Sequence, residues 1–207
     1  MIDMNKTIPK IGAAIVTITV FLFALFLIVY IPYFQCFVCF FLPIGFIMTM
    51  AGLHHECEDD RRVAANTGMV FAGIYCVFVM IVYFTQITTV TNEHLDEQAA
   101  MLIDFGRHGL IFNFDLLGYG MMALSTFFIG LSVKAKSRSD KWLKALLIIH
   151  GAFFPGCVFM PMTGMFTGMS GGDSGSGGTI ALILWCVYFL PIGILSFIHF
   201  GKEKQNS

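Results

Sequence analysis

The sequence predicts an all-α, polytopic integral membrane protein with six transmembrane helices and both termini in the cytoplasm, and three observations carry that reading. Of the 207 residues, 57 % are apolar and only 12 % charged, with a mean hydropathy of +0.80. That is too little charge to cover a soluble domain of this size. The apolar residues fall into six stretches of about 20 residues, each able to cross roughly 30 Å of hydrocarbon as a helix. The basic residues collect at alternate ends of those stretches.

The spans run over about 11–33, 36–53, 63–90, 110–133, 143–166 and 180–200, and with their short connections they make residues 1–207 one transmembrane domain. The first stretch lacks a small-residue cleavage site and exceeds the length of a signal peptide, so it is expected to stay as an anchor. A tight turn near Phe34 and Gln35 separates it from the second. With six spans, Lys6, Lys10, Arg61, Arg62, Lys134, Lys136, Arg138, Lys141, Lys144, Lys202 and Lys204 share one side, and Arg107 alone takes the other. By the positive-inside bias the crowded side is cytoplasmic, which implies a cell-membrane location. A net charge of −1 and clusters confined to span ends give no electrostatic footprint for nucleic acid, so the lipid bilayer is the expected surrounding partner.

The connection Thr91–Gly109 carries Glu93, Asp96, Glu97 and Asp104. Leu95, Ala99, Leu102 and Phe105 recur at three-to-four spacing within it. It reads either as a short interfacial helix or as a solvated acidic loop. In span five, Gly151, Pro155, Gly156, Pro161 and Gly164 interrupt one apolar run, and Pro43 and Pro191 lie inside spans two and six. Breaks of this kind free backbone carbonyls and point to a cavity or a moving part, with ordinary proline kinks as the plainer reading. The run Phe41-Leu-Pro-Ile-Gly45 in span two recurs as Phe189-Leu-Pro-Ile-Gly193 in span six.

A charge inside a span costs at least about 2.5 kcal/mol on insertion scales, which singles out Asp115, the one acid within the apolar stretches. Asn113 is beside it, and Tyr119, Met122 and Thr126 follow at helical spacing on its face. On span three, Tyr75, Tyr83 and Gln86 fall on one stripe. These residues predict a polar cavity between spans three and four. There Asp115 would take a cation or proton, while Tyr75, Tyr83, Tyr119, Gln86 and Asn113 would orient a ligand. The plainer reading places Asp115 at the interface or at a helix cap.

A second constellation is His54, His55, Glu58 and Asp59 between spans two and three. His54 with Glu58, and His55 with Asp59, would share helix faces if span two continued. His150 and His199 are expected near the same membrane face, so these six residues form the candidate metal set of a membrane enzyme. Asp59 or Asp60 also reads as the N-cap of span three. The Cys36-Phe-Val-Cys39 motif resembles that of quinone-linked disulfide oxidases. The expected external loops carry no second cysteine pair, so the cysteines read as small packed residues. The Gly-Asp-Ser-Gly run at Gly172–Gly175 lacks a histidine at matching depth and reads as a flexible linker.

The runs Tyr83-Phe-Thr-Gln-Ile-Thr-Thr-Val90 and Asp115-Leu-Leu-Gly-Tyr-Gly-Met-Met-Ala-Leu-Ser125 resemble a group of small multi-pass bacterial membrane proteins. In that group a glutamate usually stands at the position of Asp115. The resemblance spans under a third of the chain and implies about six helices, but no activity. From the residues themselves, the expected role is binding or transport of a small molecule, ion or lipid around Asp115. Two other roles stay open: a metal-dependent lipid-modifying enzyme built on the histidine cluster, and a non-catalytic subunit of a membrane complex. A chain of 23 kDa is also compatible with a homodimer.

Overall fold

The structure, a computed structural model, describes residues 3–166 and 177–202. The Gly172–Gly175 run and Lys204 lie outside the described residues. Eight α-helices form, α1 (Met4–Ile28), α2 (Pro32–His55), α3 (Arg62–Thr85), α4 (Glu97–Ile103), α5 (Leu110–Ser132), α6 (Arg138–His150), α7 (Phe153–Met162) and α8 (Gly177–Gly201), with no strand among the described residues. Six helical stretches are long and apolar enough to cross a membrane, α6 and α7 together making one of them.

Each boundary has a local cause. Asp3 caps α1 by accepting from the Asn5 amide at 3.1 Å. The turn into α2 comes at residues 29–31, earlier than the sequence suggested, because Tyr30 turns the chain left-handed at φ 61° and Pro32 opens the next helix. Gln35 seals that turn, its Nε2 donating to the Phe26 carbonyl at 3.0 Å. α2 stops at His55, so His54 and Glu58, or His55 and Asp59, do not share a helix face as a continued span would require. Neither Asp59 nor Asp60 caps α3; Asp59 pairs with Arg62 and Asp60 with Arg61. A π-helical turn, Gln86–Val90, extends α3. The acidic connection does hold a short helix, α4, capped by Asp96.

Span five breaks after His150. The chain turns through Gly151 and Ala152 before α7 begins, as the density of helix breakers there implied. A β-carbon on Gly151 would lie 2.9 Å from Phe127 Cβ, so glycine lets the break sit against α5. Pro43 and Pro191 instead lie within continuous helices.

The spanning helices close a ring in chain order. α1 packs between α8 and α2, α3 joins α2 to α5, α5 meets α6 and α7, and α6 returns to α8. Both described chain ends meet at one end of the ring, where Lys6 Nζ donates to the Lys202 carbonyl at 2.7 Å. We call this the basic end, and the opposite one, with α4, the acidic end. The repeated Phe-Leu-Pro-Ile-Gly segments flank α1. A β-carbon on Gly45 would fall 2.8 Å from the Gly12 carbonyl oxygen, and one on Gly193 2.6 Å from Thr17 Oγ1. The repeat is thus a pair of notches that let α2 and α8 approach α1 closely. Gly68 against Ser125 and Gly118 against Val79 do the same for α3 and α5.

At the centre, aromatic rings form a closed circuit across four helices. Phe46 meets Tyr75 at 5.0 Å, Tyr75 meets Tyr119 at 5.8 Å, and Tyr119 meets Trp185 at 5.3 Å. Trp185 stacks on Phe189 at 5.0 Å, and Phe189 returns to Phe46 at 6.5 Å. Such pairs contribute about 0.5–1.5 kcal/mol each beyond their buried area. Gly45→Val is expected to destabilise the protein by about 1–3 kcal/mol through overpacking. Gly73→Val, at a site where a β-carbon meets nothing within 4 Å, should leave it unchanged. Thermal denaturation in detergent compares the two.

Candidate functional site

Asp115 lies on the second turn of α5, counted from the acidic end. It is 5 % exposed, and the helix begins at Leu110 after Gly109, so the carboxyl is buried and does not cap the helix. α3 presents Tyr83 to it, with Tyr75 one layer further toward the basic end, and Tyr119 follows one turn on along α5. The Tyr83 and Tyr119 hydroxyls stand 3.5 Å apart, long for a hydroxyl pair. Cys36 and Cys39 of α2 and Cys157 of α7 are also within electrostatic reach of Asp115. The direct partner of the carboxyl is the Tyr83 hydroxyl from α3.

Two buried oxygens here have no hydrogen-bond partner, Asp115 Oδ1 and the Tyr75 hydroxyl. Buried polar atoms in folded proteins are nearly always paired; Tyr83 hydrogen-bonds the Asp115 carboxyl, and no lysine or arginine among the described residues pairs with it.

Of the six residues expected to bind a ligand, the structure brings together Asp115, Tyr119, Tyr83 and Tyr75. Gln86 is spent elsewhere. Its Nε2 donates to the Ile103 carbonyl at 2.8 Å and its Oε1 accepts from the Phe105 amide at 3.0 Å, so it clamps α4 and the turn after it onto α3. Asn113 is exposed. The polar groups pack against one another. Two apolar grooves lie on the outer surface, one of about 380 Å³ along α3 beside Gly73, the other of about 500 Å³ at the span-five break. Neither groove includes Asp115.

The six candidate metal ligands are scattered. His54 Nε2 meets Asn66 Oδ1 at 2.7 Å, Glu58 pairs with Lys134, and Asp59 pairs with Arg62. No group of three or more His, Cys, Asp or Glu is gathered for a metal ion among the described residues. His199 sits at the basic end between two carboxylates, with Nδ1 2.9 Å from Asp140 and Nε2 2.8 Å from Glu56. Only the doubly protonated ring offers a donor to each. Lys202 adds bonds to Asp140, Ser137 and Ser139, so this network staples α2, α6 and α8 together. The hydrogen bond from His199 holds the Glu56 carboxyl below its ordinary value of 4.5.

His150 is the residue whose role the sequence did not show. It is 1 % exposed at the end of α6, just before the break. Trp185 Nε1 can only donate, and it points at Nε2 from 3.3 Å, so Nε2 accepts. Nδ1 then carries the proton toward Thr126 Oγ1 at 2.8 Å, and Thr126 passes its own proton to the Ala123 carbonyl at 2.9 Å. Both ring nitrogens are committed, which leaves no lone pair for a metal. The signal in the sequence was a histidine inside an apolar run, with Thr126 on the Asp115 face and a tryptophan inside span six.

The chain matches no protein-family model, no curated protein and no solved structure. The site is therefore read from its own geometry.

Two outcomes are expected. Because the Glu56 carboxyl is held low in the folded protein, its contribution to stability is complete above pH 4.5 and is lost as pH falls below that value. Glu56→Gln should flatten that acid limb of a thermal-stability profile. Gln86→Leu should raise the hydrogen-exchange rate of the Phe105 amide while leaving exchange in α8 unaltered.

Proposed function

We propose that this chain is a multi-pass protein of a cell membrane that binds a small ligand at Asp115, with ligand and proton competing for the same carboxyl. The observation that carries the reading is Asp115 Oδ1, buried among apolar helices with no hydrogen-bond partner among the described residues. A carboxyl in that setting is costly to insert, and such groups inside membrane proteins serve ion, proton or ligand pathways. The bilayer is the medium that six apolar helices fit. Side chains such as Phe21, Val70, Leu184 and Val187 stand more than half exposed on their outer faces. The positive-inside bias orients the basic end toward the cytoplasm and leaves Asp115 nearer the other side.

The break in span five supplies a moving part for such a role. α7 contains no buried residue, while Cys157 and Phe154 on it pack at Gly120 of α5. A half-helix that follows the Gly151 break and packs on α5 beside Tyr119 is a means of exposing and covering the site. Binding is thereby linked to passage across the membrane.

A hydrophobic carbodiimide, which reaches carboxyls from the membrane phase, tests the reading. Intact-mass and peptide analysis should place the adduct on Asp115, and Asp115→Asn, with unchanged thermal stability, should abolish it. Labelling confined to the exposed acids of the two ends would contradict the reading.

A further inference from the structure

Independently of Asp115, and resting only on the chain's crossing a bilayer, we infer that span five carries a site for one anionic phospholipid. Its headgroup sits on Arg138 and Lys141, and an acyl chain lies in the groove at the span-five break. α6 divides lengthwise. Asp140, Leu143, Leu147 and His150 recur at three-to-four spacing and are buried, so they form the face turned into the bundle. Arg138, Lys141, Trp142 and Ile149 are exposed and fall on the other face. Two turns separate Lys141 from Ile148 and Trp142 from Ile149, so the upper pair stands over the lower one, about 10 Å above it. Ile148 and Ile149 are the α6 wall of the apolar groove of about 500 Å³, which Leu124 and Phe127 of α5 and Phe154 and Pro155 of α7 complete. A chain seated there packs on both pieces of span five.

The charge on this face is unanswered within the protein. Asp140 is the one acid between Val133 and His150, and it turns inward to His199 and Lys202. Lys134 pairs with Glu58 and Lys144 donates to the Val133 carbonyl, whereas no carboxylate pairs with Arg138 or Lys141 among the described residues. Lys136, exposed on the connection before α6, adds to the same field while also reaching Glu56. Basic side chains at the end of a span attract anionic lipid headgroups. Trp142, 59 % exposed beside Lys141, has the place of an amphipathic ring at the membrane interface. The groove begins about 10 Å below Lys141, inside the roughly 15 Å that the chains of one leaflet occupy. Cation, interfacial indole and apolar groove thus follow in the order of a phospholipid's phosphate, glycerol and chain. A free phosphate would use only the first of these, and a zwitterionic lipid would leave both cations over a neutral headgroup.

The test is native mass spectrometry of the full chain in detergent, titrated with phosphatidylglycerol and with phosphatidylcholine of matched chains. A phosphatidylglycerol carrying a diazirine near the end of one chain then maps the groove by photolabelling. The expected result is one phosphatidylglycerol retained in preference to phosphatidylcholine and not displaced by glycerol phosphate, with label on the peptides of Ile148, Ile149, Phe154 or Pro155. Arg138→Gln combined with Lys141→Gln, both at exposed sites, should weaken retention roughly 10- to 30-fold while thermal stability in lipid-free detergent is unchanged. Arg62→Gln, which removes an exposed cation at the same end on α3, should leave retention unaltered. Ala152→Phe, which narrows the groove and keeps both cations, should drive the photolabel out of it. Asp115→Asn should hold the lipid as the native chain does, so the two sites stand or fall separately. Equal retention of phosphatidylcholine, displacement by glycerol phosphate, an equal loss in Arg62→Gln or Asp115→Asn, or retention that survives the double substitution overturns the inference. So does photolabel confined to other peptides, or label that Ala152→Phe leaves in place.

Discussion

The aromatic circuit of Phe46, Tyr75, Tyr119, Trp185 and Phe189 is the contact on which the rest of this structure depends. Lipid tails are as apolar as leucine, so six helices in a bilayer are held together by close packing and polar contacts rather than by escape from water. Rings at the axis fill the space that six helices in a ring would leave open. They tie α2, α3, α5 and α8 in one layer. His150 joins the layer from α6, with Phe189 at 5.0 Å and Trp185 donating to its ring. On the other side of the bundle, the notches at Gly45 and Gly193 let α1 come close enough for the ring of helices to close.

That packing sets the two ends of the bundle to different tasks. At the basic end, His199, Lys202, Asp140 and Glu56 are all paired with one another, so charge there holds helices in register. Toward the acidic end, one turn above the circuit, Asp115 Oδ1 has no partner among the described residues. Fully satisfied polar networks rigidify a fold, whereas a buried carboxyl met by one phenol keeps hydrogen-bonding capacity unused. The proposed reading of Asp115 rests on that unused oxygen.

Much of this was legible in the sequence, for identifiable reasons. Six apolar runs of spanning length specify six helices because the bilayer allows a spanning chain no other way to satisfy its backbone, short of a closed barrel. Asp115 stood out because a lone acid in such a run is costly, and Tyr119, Tyr83 and Tyr75 followed from helical spacing alone. Three features could not be read this way. Gln86 has the depth and polarity of a ligand residue, but the chain folds α4 back over it, a tertiary event that no local pattern encodes. The histidines at the basic end looked like a metal set because spacing was extended past His55, where the helix in fact stops. His150 was grouped with them, whereas its neighbours Thr126 and Trp185 come from helices far away in sequence and turn it into a buried bridge.

The central claim is that Asp115 is a buried carboxyl that exchanges a proton inside the bundle. Infrared difference spectroscopy on lipid-reconstituted protein, recorded between acidic and alkaline pH, observes that exchange at the carboxyl itself. The account predicts loss of a carboxylic-acid carbonyl band with gain of carboxylate bands as pH rises, both absent from Asp115→Asn. The same difference bands in Asp115→Asn would contradict it.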